Sequence, residues 1–288
     1  MTTTHTLETP EADIVYDVHG PAPADSPRPP LLMIGQPMDA SGFRTLASFF
    51  PERTVVTYDP RGLGRSIRKD GREDHVPTVQ AGDIHAVIEA LGAGPVEVFG
   101  SSGGAIAGFA LVTAHPESVS TFVAHEPPLV GLLPDAAAAE RAGKGVRDAY
   151  QANGFGAGMA AFIAMTSWKG EFTDDYFALP PADPAQFGMP TEDDGRRDDP
   201  LMTERSLAVT AYRLDVDALA KVPTRIVVGV GEESLDVMTG RTALATAAAL
   251  GQEAVVFPSH HGGFMGGEFG YAGQPEAFAK KLREVLEG

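Results

Sequence analysis

At 288 residues with no cysteine, the chain can bury a sizeable core, as one large domain or a core with an insert, but it can hold no disulfide framework, thiol nucleophile or thiolate metal site. Its formal charge of −17 repels nucleic-acid phosphates and anionic lipid, so neither nucleic acid nor a membrane surface is an expected partner. The polar, Thr-rich start has no basic n-region or apolar h-region and no later stretch reaches the length of a membrane span, which points to a soluble, unexported, cytoplasmic protein.

In chain order, residues 13–19 alternate well enough for an edge strand, and the Pro-rich stretch 20–30 reads as an irregular connection. Residues 31–35 are apolar throughout and predict a central strand that turns at Gln36-Pro37. Phe43, Leu46, Ala47 and Phe50 have helical spacing, and Val55-Val56-Thr57-Tyr58 is a strand. The loop Asp59-Pro60-Arg61-Gly62-Leu63-Gly64-Arg65-Ser66 follows. Its Asp59 and Arg61 are expected to bond its own backbone, and without a following Lys-Ser/Thr it is not a phosphate loop. A helix from about Thr78 places Ile84, Val87, Ile88 and Leu91 on one face and ends at Gly92.

Residues 96–99 then form a short buried strand that meets Gly100-Ser101-Ser102-Gly103-Gly104 and passes at once into an apolar helix. Gly100-x-Ser102-x-Gly104 matches the G-x-S-x-G nucleophile elbow, in which a tight turn lifts a serine above the carboxyl ends of the strands. Crowding at that turn calls for the glycines, and the spacing selects Ser102 over Ser101. The start of the following helix favours a developing oxyanion there.

A further strand, 121–124, ends at His125-Glu126-Pro127-Pro128. From about 130 to 222 strands give way to helical stretches at 136–152, 158–168 and 203–213 around an acidic, Pro-rich connection, so this part reads as a helical insert over the sheet. Strands resume at 224–230 and 254–257, separated by a helix that runs to Leu250. A last helix opens with Pro275 and buries Phe278, Leu282, Val285 and Leu286. This alternation predicts a mainly parallel sheet with helices on both faces.

The strand before Gly35-Gln36-Pro37, the loop Asp59-x-Arg61-Gly62-x-Gly64-x-Ser66, the elbow at Ser102, the helical insert and a late His-Gly together resemble the α/β-hydrolase superfamily over nearly the whole chain. The resemblance implies an eight-stranded core from 1–129 and 223–288, a helical cap over 130–222, and a Ser-His-acid mechanism without cofactor or metal. One departure is Ile34-Gly35, which stands where the family often has His-Gly.

Chain order in the family places the histidine after the last strand, which selects His261, with His260 as its competitor. Glycines beside His261 allow close approach to the elbow, and the adjacent pair lacks the spacing of metal ligands. The acid is open. Ser234 falls where many relatives carry an Asp, leaving a local shift to Asp236 or Glu233, or Glu126 at the end of the strand after the elbow helix. His125-Glu126-Pro127-Pro128 resembles the His-Glu-x-Pro segment of zearalenone-type lactonases, and Glu126 is preferred. By family order the backbone N–H groups of Gln36 and Gly103 form the oxyanion hole. Trp168, Phe162 and Met165, with Phe155 and Met159, either line an apolar substrate pocket or simply form the core of the insert.

The resemblance therefore implies hydrolysis of a small-molecule carboxylic ester or lactone through an acyl-enzyme. Carbon-carbon bond hydrolysis and perhydrolysis use the same machinery, and a ligand-binding module without turnover is the reading from another class. Neither the substrate nor the oligomeric state can be read from the sequence.

Overall fold

A computed structural model describes residues 2–288. Nine strands form one sheet: β1 Thr2–Glu8, β2 Ala12–His19, β3 Leu31–Ile34, β4 Val55–Tyr58, β5 Ile67–Arg68, β6 Val96–Ser101, β7 Val119–His125, β8 Arg225–Gly231 and β9 Val255–Phe257. The order is β1-β2-β4-β3-β6-β7-β8-β9, with the two-residue β5 paired to β2. From β4 to β9 every pairing is parallel, while β2 runs antiparallel to its neighbours.

The strand at 13–19 is thus not an edge. β1 covers it in full register, Thr2 opposite His19 and Glu8 opposite Asp13. Read as a polar leader, β1 carries almost no buried surface, so it has no apolar alternation to betray it; its threonines supply β-propensity and β2 supplies the ladder.

The parallel strands are continuous hydrophobic runs because helices cover both faces. The helices are α1 Arg44–Ser48, α2 Pro77–Leu91, α3 Gly103–Ala114, α4 Ala136–Ser167, α5 Asp174–Phe177, α6 Leu207–Thr210, α7 Val216–Leu219, α8 Met238–Ala249 and α9 Pro275–Glu287. Alternate residues of β3 divide the core. Leu32 and Ile34 join Ile84, Ile106 and Phe109 under α2 and α3. Leu31 and Met33 join Phe43, Leu46, Phe278 and Leu282 under α1 and α9.

Between β7 and β8 the named elements are all helices and turns. The two predicted helices at its start are one continuous assignment, α4, interrupted at Gly154 with φ 81° and ψ −169°. Val130, Val146, Tyr150, Met165 and Met202 form a separate apolar cluster there, joined by Met238 of α8.

The loop after β4 is held partly as expected of it and partly otherwise. Buried Asp59 does accept from backbone N–H groups, those of Ala40 at 2.9 Å and Arg65 at 2.8 Å. Arg61 turns away from the backbone. Its guanidinium grips Asp83 at 2.6 and 2.7 Å and Asp70 at 3.0 Å, because a buried cation needs charged partners more than carbonyls.

His75 is buried with neither ring nitrogen hydrogen-bonded, and its backbone N–H donates to the Arg205 carbonyl. Burial, helped by Arg68 and Arg205, pushes its pKa down to about 4; burial does the same to His125. The unfolded chain therefore binds these protons first, so their contribution to stability is complete above about pH 6.5 and is lost as pH falls toward 4. Urea midpoints should drop across that window, and His75→Leu should remove up to one proton from the slope, about 1.4 kcal/mol per pH unit. An unaltered slope in the variant would show that His75 titrates normally.

Candidate active site

β6 ends at Ser101, and Ser102 turns the chain into α3 with φ 56° and ψ −127°, left-handed backbone that a serine adopts only under constraint. The constraint is visible. Ser102 N–H donates to the His125 carbonyl at 2.9 Å and Ala105 N–H to the Ser102 carbonyl at 3.0 Å. A Cβ on Gly104 would lie 2.2 Å from the Ile34 carbonyl oxygen, so only glycine permits this approach. Ser101 Oγ faces the interior, 3.3 Å from His125 Nδ1, whereas Ser102 lines a cavity.

Glu126 follows β7 with φ 46° and is wholly buried. Its Oε1 accepts the Gly231 N–H at 2.8 Å, and its Oε2 lies 2.6 Å from His261 Nδ1. Burial by itself would raise the carboxyl pKa; the hydrogen bond and charge of His261, with His125 and the Thr239 hydroxyl, hold it well below the usual carboxylate range. With Nδ1 engaged, Nε2 is the nitrogen left for other chemistry. The His261 side chain is 36% exposed and lines the same cavity as Ser102. His260 also lines it, but its Nδ1 accepts the Gly262 N–H at 3.0 Å.

Asp236 is exposed, its side chain makes no hydrogen bond with the described residues, and it does not line the cavity. Glu233 sits at the cavity wall, exposed, and Ser234 lines it from a buried position. Of the candidate carboxylates, Glu126 is the one bonded to an imidazole.

Gln36, after β3, packs on Gly103: a Cβ there would lie 2.6 Å from the Gln36 carbonyl oxygen. Neither backbone N–H is taken by a turn or loop hydrogen bond, and Gly103 is the first residue of α3, where amides have no intrahelical acceptor. The Gln36–Pro37 peptide is cis. Gln36 Oε1 accepts from Gln80 Nε2 of α2 at 2.7 Å, which ties this loop to the core.

A family model described as the alpha/beta hydrolase fold matches residues 29–154, the span that runs from β3 through the elbow and Glu126. YraK of Bacillus subtilis, named an uncharacterized hydrolase, is 28% identical over 299 residues, covering 98% of this chain and 95% of its own. The chain has the α/β-hydrolase fold. Two solved structures share its fold. One is a thermophilic esterase from Thermogutta terrifontis, 20% identical, TM-score 0.64, covering 100% of this chain and 98% of that one. The other is Est816, described as an N-acyl homoserine lactone degrading enzyme, 20% identical, TM-score 0.63, covering 99% of each chain.

The cavity holds about 370 Å³, and Ser102, His261, Gln36 and Gly103 share its walls with Phe162 and Met165 of α4. Trp168 is not among them. The helix ends at Ser167, Trp168 is extended (φ −66°, ψ 133°), and its indole N–H donates to the Glu171 carbonyl at 2.9 Å while its ring meets Tyr176 edge-on. Sequence reasoning passed over Thr239 and Arg147, which also line the cavity. Thr239, on α8, helps to hold the Glu126 carboxyl pKa down, an influence across more than a hundred residues with no motif to announce it. Among the described residues no group of three or more His, Cys, Asp or Glu is placed to hold a metal ion, and no helix is long and apolar enough to cross a membrane.

Proposed function

We propose that the chain hydrolyses a carboxylic ester or lactone, with Ser102 as nucleophile, His261 as general base and Glu126 as the acid that orients it. The observation carrying this reading is the 2.6 Å contact between the buried Glu126 carboxylate and His261 Nδ1, on a cavity that Ser102 shares. A carboxylate there fixes the tautomer that leaves Nε2 free to accept a proton, and stabilises the imidazolium that results.

Ser102 Oγ loses its proton to His261 Nε2 as it attacks the carbonyl carbon. The tetrahedral oxyanion is met by the N–H groups of Gln36 and Gly103 at the start of α3. His261 then returns the proton to the departing alkoxide, which in a lactone stays tethered to the acyl group. Water, deprotonated by the same imidazole, releases the acid. The helical segment 130–222 acts as a cap: its side chains Phe162 and Met165 give the cavity an apolar wall suited to an acyl chain.

A fluorophosphonate probe tests the reading directly. It should attach to Ser102, as read by peptide mass mapping, and should abolish turnover of a nitrophenyl ester. A folded protein that neither labels nor turns over is instead a binding module that kept the fold. Rates on parallel ester, lactone and β-diketone panels then rank the bond cleaved.

A further inference from the structure

We propose that Arg147 binds an anionic group at the far end of the substrate, so that the site takes esters or lactones carrying a second, ionised carboxylate; the inference rests on the hydrolase reading above. Arg147 lies in the first half of α4, half-buried, on the wall of the cavity that holds Ser102 and His261. A second chamber of about 310 Å³ adjoins that cavity, and Pro128, Gly143, Arg147, Met165, Thr210 and Met238 line both. The guanidinium stands at this shared wall: Nη1 is 3.7 Å from the place a Cβ on Gly143 would occupy.

Arg147 is a half-buried cation without a partner among the described residues. Arg61, Arg65 and Arg241 are each held by carboxylates, as expected in a chain of net charge −17. Arg147 makes no hydrogen bond or ion pair with any described residue, and the adjacent Asp148 is taken by Lys144 at 2.6 Å. The second chamber adds Arg213, which donates only to the Ala211 and Tyr212 carbonyls, against one acid, the exposed Glu140. Its formal charge is therefore positive.

The wall of the cavity that carries the histidines bears an acid instead. Glu233 stands on the loop beside His260 and His261, its N–H bonded to the Ser259 carbonyl, and Glu126 lies behind the imidazole. A ligand with one ionised end is repelled there and attracted to Arg147, which leaves its uncharged carbonyl at Ser102. Met165, Met238, Val146 and Phe162 line the same cavity with apolar surface that suits a methylene chain. A half-buried guanidinium offers a carboxylate charge-assisted, bidentate hydrogen bonds that no neutral ester end can accept as well.

Calorimetric titration of Ser102→Ala protein with monomethyl adipate and with dimethyl adipate tests this without turnover. The ionised ester should bind about tenfold tighter or better than the neutral one. Arg147→Gln in the same background should bring the ratio of the two dissociation constants close to one, Arg147→Lys should keep part of it, and Arg147→Glu should invert it. Succinate and suberate monoesters locate the distance at which the preference peaks. A parent protein that binds the monoester no better than the diester, or a preference that Arg147→Gln leaves in place, overturns the proposal. The two ideas fail separately: unlabelled Ser102 in the wild type sinks the hydrolase reading, whereas labelled Ser102 with a flat binding ratio sinks only the role of Arg147.

Discussion

Ser102→Ala is expected to lower kcat on an activated ester by about a millionfold, the loss seen when a serine acting as one unit with its base is removed. The argument for so large an effect is geometric. Nothing else at the elbow can attack: Ser101 is buried against His125, and the chain has no cysteine. The fold should survive, because alanine meets the same left-handed backbone that serine already occupies at φ 56°, and the hydrogen bonds that hold this turn run through the backbone. Thermal midpoints within a degree or two of the parent, with residual turnover attributable to the oxyanion donors alone, are the result to look for. Retention of most of the esterase rate would mean that another group does the chemistry.

The second large effect falls on Glu126. Glu126→Gln keeps the size and offers its amide oxygen or its NH2 to His261 Nδ1, but it removes the charge that steadies an imidazolium and can hold the ring in the wrong tautomer; a loss of about ten-thousandfold in kcat is expected by analogy with serine proteases. KM should change far less. Asp236→Asn is the matched comparison, and with its exposed side chain bonded to nothing it should keep kcat within about twofold. A collapse of rate in the Asp236 variant with a near-normal Glu126 variant would reverse the assignment of the acid. Stability carries a second signature: the Glu126 pKa is depressed in the folded state, so its contribution is present above the ordinary value of 4.5 and disappears as pH falls below it. The Gln variant should therefore lose less stability than the parent on acidification from neutral pH.

What could be read from the residues alone was the chemistry with local signals. The elbow is a strand, a glycine-bounded serine and a helix contiguous in sequence, and β3, β4, β7 and β8 are apolar runs that parallel pairing makes unmistakable. α9 was legible because Phe278, Leu282, Val285 and Leu286 repeat at helical spacing and are all buried. The unread parts are those whose cause is distant. β1 is a strand because β2 offers it a partner, not because its own side chains seek burial. Trp168 looked like a continuation of the α4 pattern, yet the helix stops one residue before it. Arg147, on an Ala-rich helix among Lys144 and Asp148, reads as one more solvated charge until the fold turns it toward a cavity. The acid is open on sequence for a related reason: Glu126 is preferred over Asp236 and Glu233 on a segment resemblance alone, and the contact that brings Glu126 to His261 depends on the approach of the 259–263 loop to β7 and β8.

β6 and β7 pair directly, with Ser101 opposite His125, so the residues that follow them, Ser102 and Glu126, are positioned by one shared ladder. Only the imidazole arrives from afar. The bend after β8, at 232–237, holds the loop that carries it: the Glu232 and Glu233 N–H groups donate to the Phe257 and Ser259 carbonyls, and Glu232 Oε1 accepts the Ser259 N–H at 3.1 Å. A change in its length or sequence would therefore act on the position of the ring, although the proposed acid stands on the shared ladder and not at that corner.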